Sequence, residues 1–164
     1  MGNFFRITVL VITGFLFTGI SYSSEFNLAD DYMQAYSEFD IKRLAEFYSD
    51  DAVFIDPTSE IWGDKAVKMY GKEQIFKRWE ALFLRFDKIS AAYNVKTKYH
   101  SAGHSVYTGK VKFSTVKKGE AETSTSCAFI TTIISVKEGK VVEHRDYFDY
   151  DTWKASKKIG DQDC

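Results

Sequence analysis

Phe47-Tyr48-Ser49-Asp50-Asp51-Ala52-Val53-Phe54-Ile55-Asp56-Pro57 is the stretch on which the reading of this chain turns. Ser49-Asp50-Asp51 ends a helical pattern, and Ala52 to Ile55 is apolar and strand-forming. Pro57 cannot donate to a ladder, so the strand must stop at Asp56. An acid at that point has an apolar wall behind it, which makes a carboxylate a usable proton acceptor or donor near neutral pH. A second reading stays open beside it, in which Asp56 is a turn residue that caps the backbone after Pro57.

Upstream, Phe26 to Phe39 carries Leu28, Tyr32, Ala35, Tyr36 and Phe39 at helical spacing, and Asp40 can cap a second helix, Ile41 to Tyr48. Downstream, Thr58 to Tyr70 reads as a long loop with Ile61, Trp62 and Met69, placed to cover a pocket mouth. Gly71 opens a third helix, Lys72 to Phe86, with Ile75, Trp79, Leu82, Phe83 and Phe86 in one stripe. From Lys88 the period becomes two. Strands are expected over about Ile89 to Tyr99, His104 to Val116, Ala121 to Val136 and Lys140 to Tyr150, separated by glycine-containing turns. The order predicts an α+β domain in which a curved, mainly antiparallel sheet wraps around three N-terminal helices. The tail from Lys154 to Cys164 is polar and is expected to be loose.

The balance of 22 Lys+Arg against 23 Asp+Glu, net charge -1, gives no electrostatic footprint for nucleic acid or for a membrane surface. The 14 Phe, 10 Tyr and 3 Trp exceed what a small core needs and would suit an apolar ligand cavity. Ile7 to Ile20 is an apolar run behind Arg6, and Ser21-Tyr22-Ser23 supplies small residues, so residues 1–23 are expected to be a signal peptide cleaved after Ser23. That run is shorter than the roughly 20 residues of a spanning helix, so no membrane anchor is expected after cleavage, and the mature chain would be periplasmic or extracellular. Residues 24–164 then form one domain. Export permits a disulfide between Cys127 and Cys164, but Cys127 lies inside a strand pattern, where a small buried hydrophobe is the commoner fate, so of the two readings the unpaired thiol is favoured. No Cys or His stands at metal-ligand spacing, and neither a metal nor another cofactor is expected.

The run Tyr36-Ser37-Glu38-Phe39-Asp40, then Phe47 to Pro57, together with Gly71-Lys72-Glu73-Gln74-Ile75 and Gly139-Lys140-Val141-Val142 to Asp149, resembles the nuclear transport factor 2-like superfamily and its SnoaL-like members. The resemblance spans about Leu28 to Trp153 and implies a cone-shaped α+β barrel open at one end, commonly dimeric. The first half most resembles the bacterial ketosteroid isomerases. That likeness implies that Asp56 is the proton-moving base, Tyr32 the donor to a substrate oxygen and Tyr48 a supporting tyrosine. The family's protonated aspartate position falls on Thr132 and a third tyrosine position on Trp79. The oxyanion hole of a steroid isomerase is therefore incomplete in this chain.

Along Val141 to Tyr150, alternation puts Val142, His144, Asp146 and Phe148 on one face and Glu143, Arg145, Tyr147 and Asp149 on the other. The resemblance makes Phe148 a cavity-lining aromatic, which turns His144 and Asp146 inward with it. Asp56 and Asp146 would then share an apolar cleft and divide the work of base and acid, with His144 relaying a proton or holding a substrate oxygen. Two functions follow. One is an exported acid/base enzyme, of isomerase, cyclase, dehydratase or hydrolase type and metal-free, acting on a small apolar molecule. Its catalytic set is Asp56, Asp146, His144 and Tyr32, and Tyr48, Trp79, Thr132 and Phe148 shape the pocket. The other is a non-catalytic ligand-binding or dimeric interaction module of the same fold.

Overall fold

A computed structural model describes residues 22–62, 65–160 and 164. The apolar run 7–20 lies outside the described residues. Among those described, no helix is long and apolar enough to cross a membrane.

Helix α1 (Tyr22–Glu38) buries Ala29, Tyr32, Met33, Ala35 and Tyr36 along one face, the three-to-four-residue spacing of an amphipathic helix. It stops where Phe39 turns left-handed at φ 54. Asp40 then caps α2 (Ile41–Phe47) by accepting from the Arg43 N–H at 3.1 Å. Strand β1 (Tyr48–Asp56) follows at once, starting four residues before the expected Ala52 and taking in Ser49-Asp50-Asp51, and it stops at Asp56 as expected. The segment expected as a loop holds a 3-10 turn (Pro57–Trp62) and a short strand, β2 (Val67–Tyr70), antiparallel to β1. Four residues show no period of their own, so only the partner strand defines β2. Helix α3 (Lys72–Phe83) buries Ile75 completely, worth about 1.5–3 kcal/mol.

Strands β3 (Phe86–Ser101), β4 (His104–Lys117), β5 (Thr123–Lys137) and β6 (Lys140–Phe148) form the expected antiparallel meander. β1 joins β6 in parallel, giving the order β2-β1-β6-β5-β4-β3. The sheet is curved and mixed, does not close on itself, and folds its concave face over α1 and α3. Gly109 helps it bend: a Cβ there would lie 2.1 Å from the Asn94 carbonyl oxygen, beside the register shift between Val95 and Thr97.

Residues 150–160 are ordered against the sheet, where a loose tail from Lys154 was expected. Helix α4 (Tyr150–Ala155), capped by Asp149, leads to β7 (Lys158–Ile159), which pairs with β5. Cys164 is bridged to Cys127, with 5.8 Å between Cα atoms. The expectation of an unpaired Cys127 is thereby corrected. Its side chain is only half-buried, and β7 carries the chain back across β5, bringing the two cysteines to bridging distance.

Candidate acid and tyrosine site

The inward face of β6 is the spine of the site. Val136 faces Val141 and Ser135 faces Glu143, so β6 carries one extra residue at Val142. That bulge corrects the expected alternation at one position, because Val141 is buried and Val142 is not. His144 and Asp146 point inward, at 0% and 5% exposure. Glu143 and Arg145 pair on the opposite face at 3.1 Å.

Asp146 is fully engaged. Its Oδ1 accepts from Thr132 Oγ1 at 2.5 Å and its Oδ2 from the Tyr36 hydroxyl at 3.2 Å. His144 Nε2 lies 3.0 Å from Asp146 Oδ1, a close contact without hydrogen-bond alignment. On the other side of the ring, Nδ1 is 2.6 Å from the Tyr32 hydroxyl, which also bonds the Tyr48 hydroxyl. A continuous line runs Asp146, His144, Tyr32, Tyr48. Phe54 and Tyr36 hold the imidazole between them, each with ring centroids 4.6 Å away.

Asp56 sits on the same face of the neighbouring strand. Phe54 is opposite His144 in the parallel β1–β6 pair. Continuing that register by two residues sets Asp56 beside Asp146, with about 5 Å between strands. Asp56 is 7% exposed, its Oδ1 accepting from Thr58 Oγ1 at 2.7 Å and its Oδ2 from the Tyr150 hydroxyl. Thr58 in turn accepts the Phe148 N–H at 2.8 Å, which fastens the 3-10 turn to the end of β6. Both bonds to the Asp56 carboxylate come from side-chain hydroxyls, one from Thr58 two residues on and one from Tyr150, 94 residues away, and neither is the backbone cap of the turn reading.

Burial shapes the phenols. It holds Tyr32, Tyr36, Tyr48 and Tyr93 well above the usual tyrosine value, with the Tyr48 neighbour adding to it for Tyr32 and the Asp146 carboxylate for Tyr36 and Tyr93. Tyr150 is raised too, by burial first and then by its bond to Asp56, with the charge of Asp146 contributing. These groups are neutral donors at ordinary pH. The Trp79 indole stands edge-on to Tyr36 and Phe54, and its buried N–H has no partner among the described residues. Phe148 packs against Phe113, Tyr150 and Trp153.

The sequence-predicted residues thus converge, but not all face one space. Tyr32 and Tyr48 spend their hydroxyls on each other and on His144, and Thr132 spends its own on Asp146. Sequence reasoning missed Tyr36, Thr58 and Tyr150. Tyr36 was within reach, since it lies one helical turn from Tyr32. An open groove of about 680 Å³ between Phe39–Lys42 and Glu80–Leu84 includes none of these residues. Among the described residues no three His, Cys, Asp or Glu side chains converge as a metal site.

The model of the SnoaL-like domain matches residues 29–144, most of the chain. This chain belongs to the SnoaL-like family. Solved structures agree on the fold of this SnoaL-like domain. One, assigned as a SnoaL-like polyketide cyclase from Shewanella putrefaciens, is 24% identical over 80% of this chain and 94% of its own, with a TM-score of 0.66. A phenazine biosynthesis-related protein from Pseudomonas aeruginosa is 12% identical over 87% and 90%, also at 0.66. An epoxide hydrolase from M. tuberculosis is 10% identical over 82% and 89%, at 0.61. At these identities the likeness concerns the fold alone. No curated protein matches the chain.

Proposed function

We propose that this SnoaL-like domain is an exported enzyme that moves protons on a small, largely apolar molecule bound between β1, β6 and the Phe148 aromatic cluster. The observation that carries the reading is the pair of buried carboxylates, Asp56 and Asp146, on one face of adjacent parallel strands, each held by hydroxyl donors. Asp56 takes the proton. Asp146, with His144 behind it, donates a proton of its own as the acid or orients a water, while Tyr32 acts through His144 and the Trp79 N–H, unpartnered among the described residues, receives a ligand oxygen. Isomerisation, cyclisation, dehydration and hydrolysis all use such a pair. The names of the related structures, a polyketide cyclase and an epoxide hydrolase, fall within those classes. The disulfide supports the exported location, because such bonds persist in oxidising compartments. A homodimer through the outer face of the sheet, where Tyr99, Phe129 and Tyr147 are exposed, completes the reading.

A second reading has its own support. The hydroxyls of Tyr32 and Thr132 are consumed inside the protein, which suits a binding module without chemistry. A turnover screen over enolisable ketones and epoxides separates the two. The enzyme reading expects product with wild type and a loss of at least about a hundredfold with Asp56→Asn. The binding reading expects a ligand held equally by both proteins and no product from either.

A further inference from the structure

The Tyr150 and Trp153 side chains at the Asp56 end come from the segment after β6, not from the sheet. After β6 the chain reverses at Asp149, whose N–H donates to the Phe129 carbonyl at 3.0 Å and whose carboxylate caps α4 through Thr152. α4 has no buried residue of its own. What it brings is Tyr150, onto Asp56, and Trp153, onto Phe148 and Tyr150. Beyond α4 the fastenings crowd onto β5. Ser156 Oγ accepts the Cys127 N–H at 2.8 Å and bonds its carbonyl at 2.7 Å. Gly160 exchanges bonds with Thr123 and Thr125 at 2.8 and 2.7 Å, β7 pairs with Ser124 and Thr125, and Cys164 is bridged to Cys127.

We propose that residues 149–160, tied down at Cys164, are a disulfide-latched strap over the acid site, that Tyr150 is the positioning residue holding both the strap and the Asp56 carboxylate, and that strap opening admits the ligand. Three features converge on it. The strap contributes little core of its own, as expected of segments that open locally while the rest stays folded. The Tyr150 hydroxyl reaches from it into the site and ends on a carboxylate that a ligand must reach. Its far end is held covalently, so the opening is a swing between Asp149 and the β5 fastenings rather than a release. The proposal rests on reading Asp56 as part of the ligand site, but its test does not require turnover.

The test is hydrogen exchange with mass spectrometry on the mature chain in three forms: oxidised, reduced with dithiothreitol, and Cys164→Ser. Dithiothreitol converts the bridge to two thiols and is itself oxidised to its cyclic disulfide. Tyr150→Phe, with the bridge intact, is a fourth sample that leaves the latch untouched. Loss of the latch is expected to speed exchange at least tenfold at residues 148–156 and also at 56–60 beneath them, with 131–136 and 141–146 unchanged. Tyr150→Phe is expected to raise the same two regions by a smaller factor. Acceleration at 148–156 with 56–60 unmoved would reduce the segment to a tail that covers nothing. Equal acceleration everywhere would make the bridge a staple for the whole fold, and no acceleration would leave no latch. Each of these three results overturns the proposal, whether or not a substrate is ever found.

Discussion

The two ends of the polar row differ in who satisfies them. At the inner end, His144, Tyr32 and Tyr48 bond one another, and every partner belongs to α1, β1 or β6, elements fixed by the main core. At the outer end, Asp56 depends on Thr58 and on a tyrosine delivered by a six-residue helix with no buried side chain. The same inward alternation that makes strands β1 and β6 bury apolar groups also buries both sets of polar ones. Buried polar groups must be bonded, but only the outer set is bonded by something that can leave. The inner end is therefore a foundation and the outer end an opening.

Alkaline pH has the largest expected effect and acts along the whole row, since Tyr36 and Tyr93 beside Asp146 and Tyr150 at the outer end are raised as well as Tyr32 and Tyr48. The folded-state values of Tyr32, Tyr36, Tyr48 and Tyr93 are raised, so stability from keeping them neutral is complete below about pH 10 and is lost as pH climbs above it. Each costs about 1.4 kcal/mol per pH unit beyond that point. Four together remove on the order of 5 kcal/mol by pH 11, near the whole stability of a domain. Absorbance at 295 nm should therefore show these phenols ionising together with loss of the far-UV signal, not one by one in the folded state.

Removing the carboxylate at the junction comes next. Asp146→Ala leaves the Thr132 and Tyr36 hydroxyls without their acceptor, and urea unfolding should show a loss of about 3–5 kcal/mol. Opening the bridge with Cys127→Ser and Cys164→Ser should cost at most roughly 3–4 kcal/mol for a 37-residue separation. The comparison itself is sharpest between two single hydroxyls. Tyr32→Phe should cost about 2 kcal/mol, because it strands both Tyr48 and His144 Nδ1. Tyr150→Phe should cost about 1 kcal/mol or less, because Asp56 keeps Thr58 and the strap admits water. Equal losses would erase the distinction between the ends.

These contrasts also explain what the sequence discloses. The change from helical to two-residue period after Lys88 and the proline stop after Asp56 made the element order readable, since local sterics decide both. β2 was hidden because four residues inside a loop acquire strand character only from β1. The strap was hidden because its order comes from caps, β5 and a disulfide rather than from an apolar period. His144 and Asp146 were legible through alternation, and Asp56 through the strand end. Tyr150 was not, since nothing local states which carboxylate a tyrosine in the tail will meet. The Asp149 to Thr152 spacing did carry a helix-cap signal that the strand pattern obscured.

The most direct test of this account is chemical-shift mapping of aromatic and methyl groups while cyclohexanone, a small apolar carbonyl compound, is titrated into the oxidised protein. The account predicts shifts at Phe148, Tyr150, Trp153 and Phe113 and at the Trp79 indole N–H, with Tyr32 and Tyr48 unmoved. Shifts centred on Tyr32 and Tyr48 with Tyr150 silent would place the opening at the other end and contradict it.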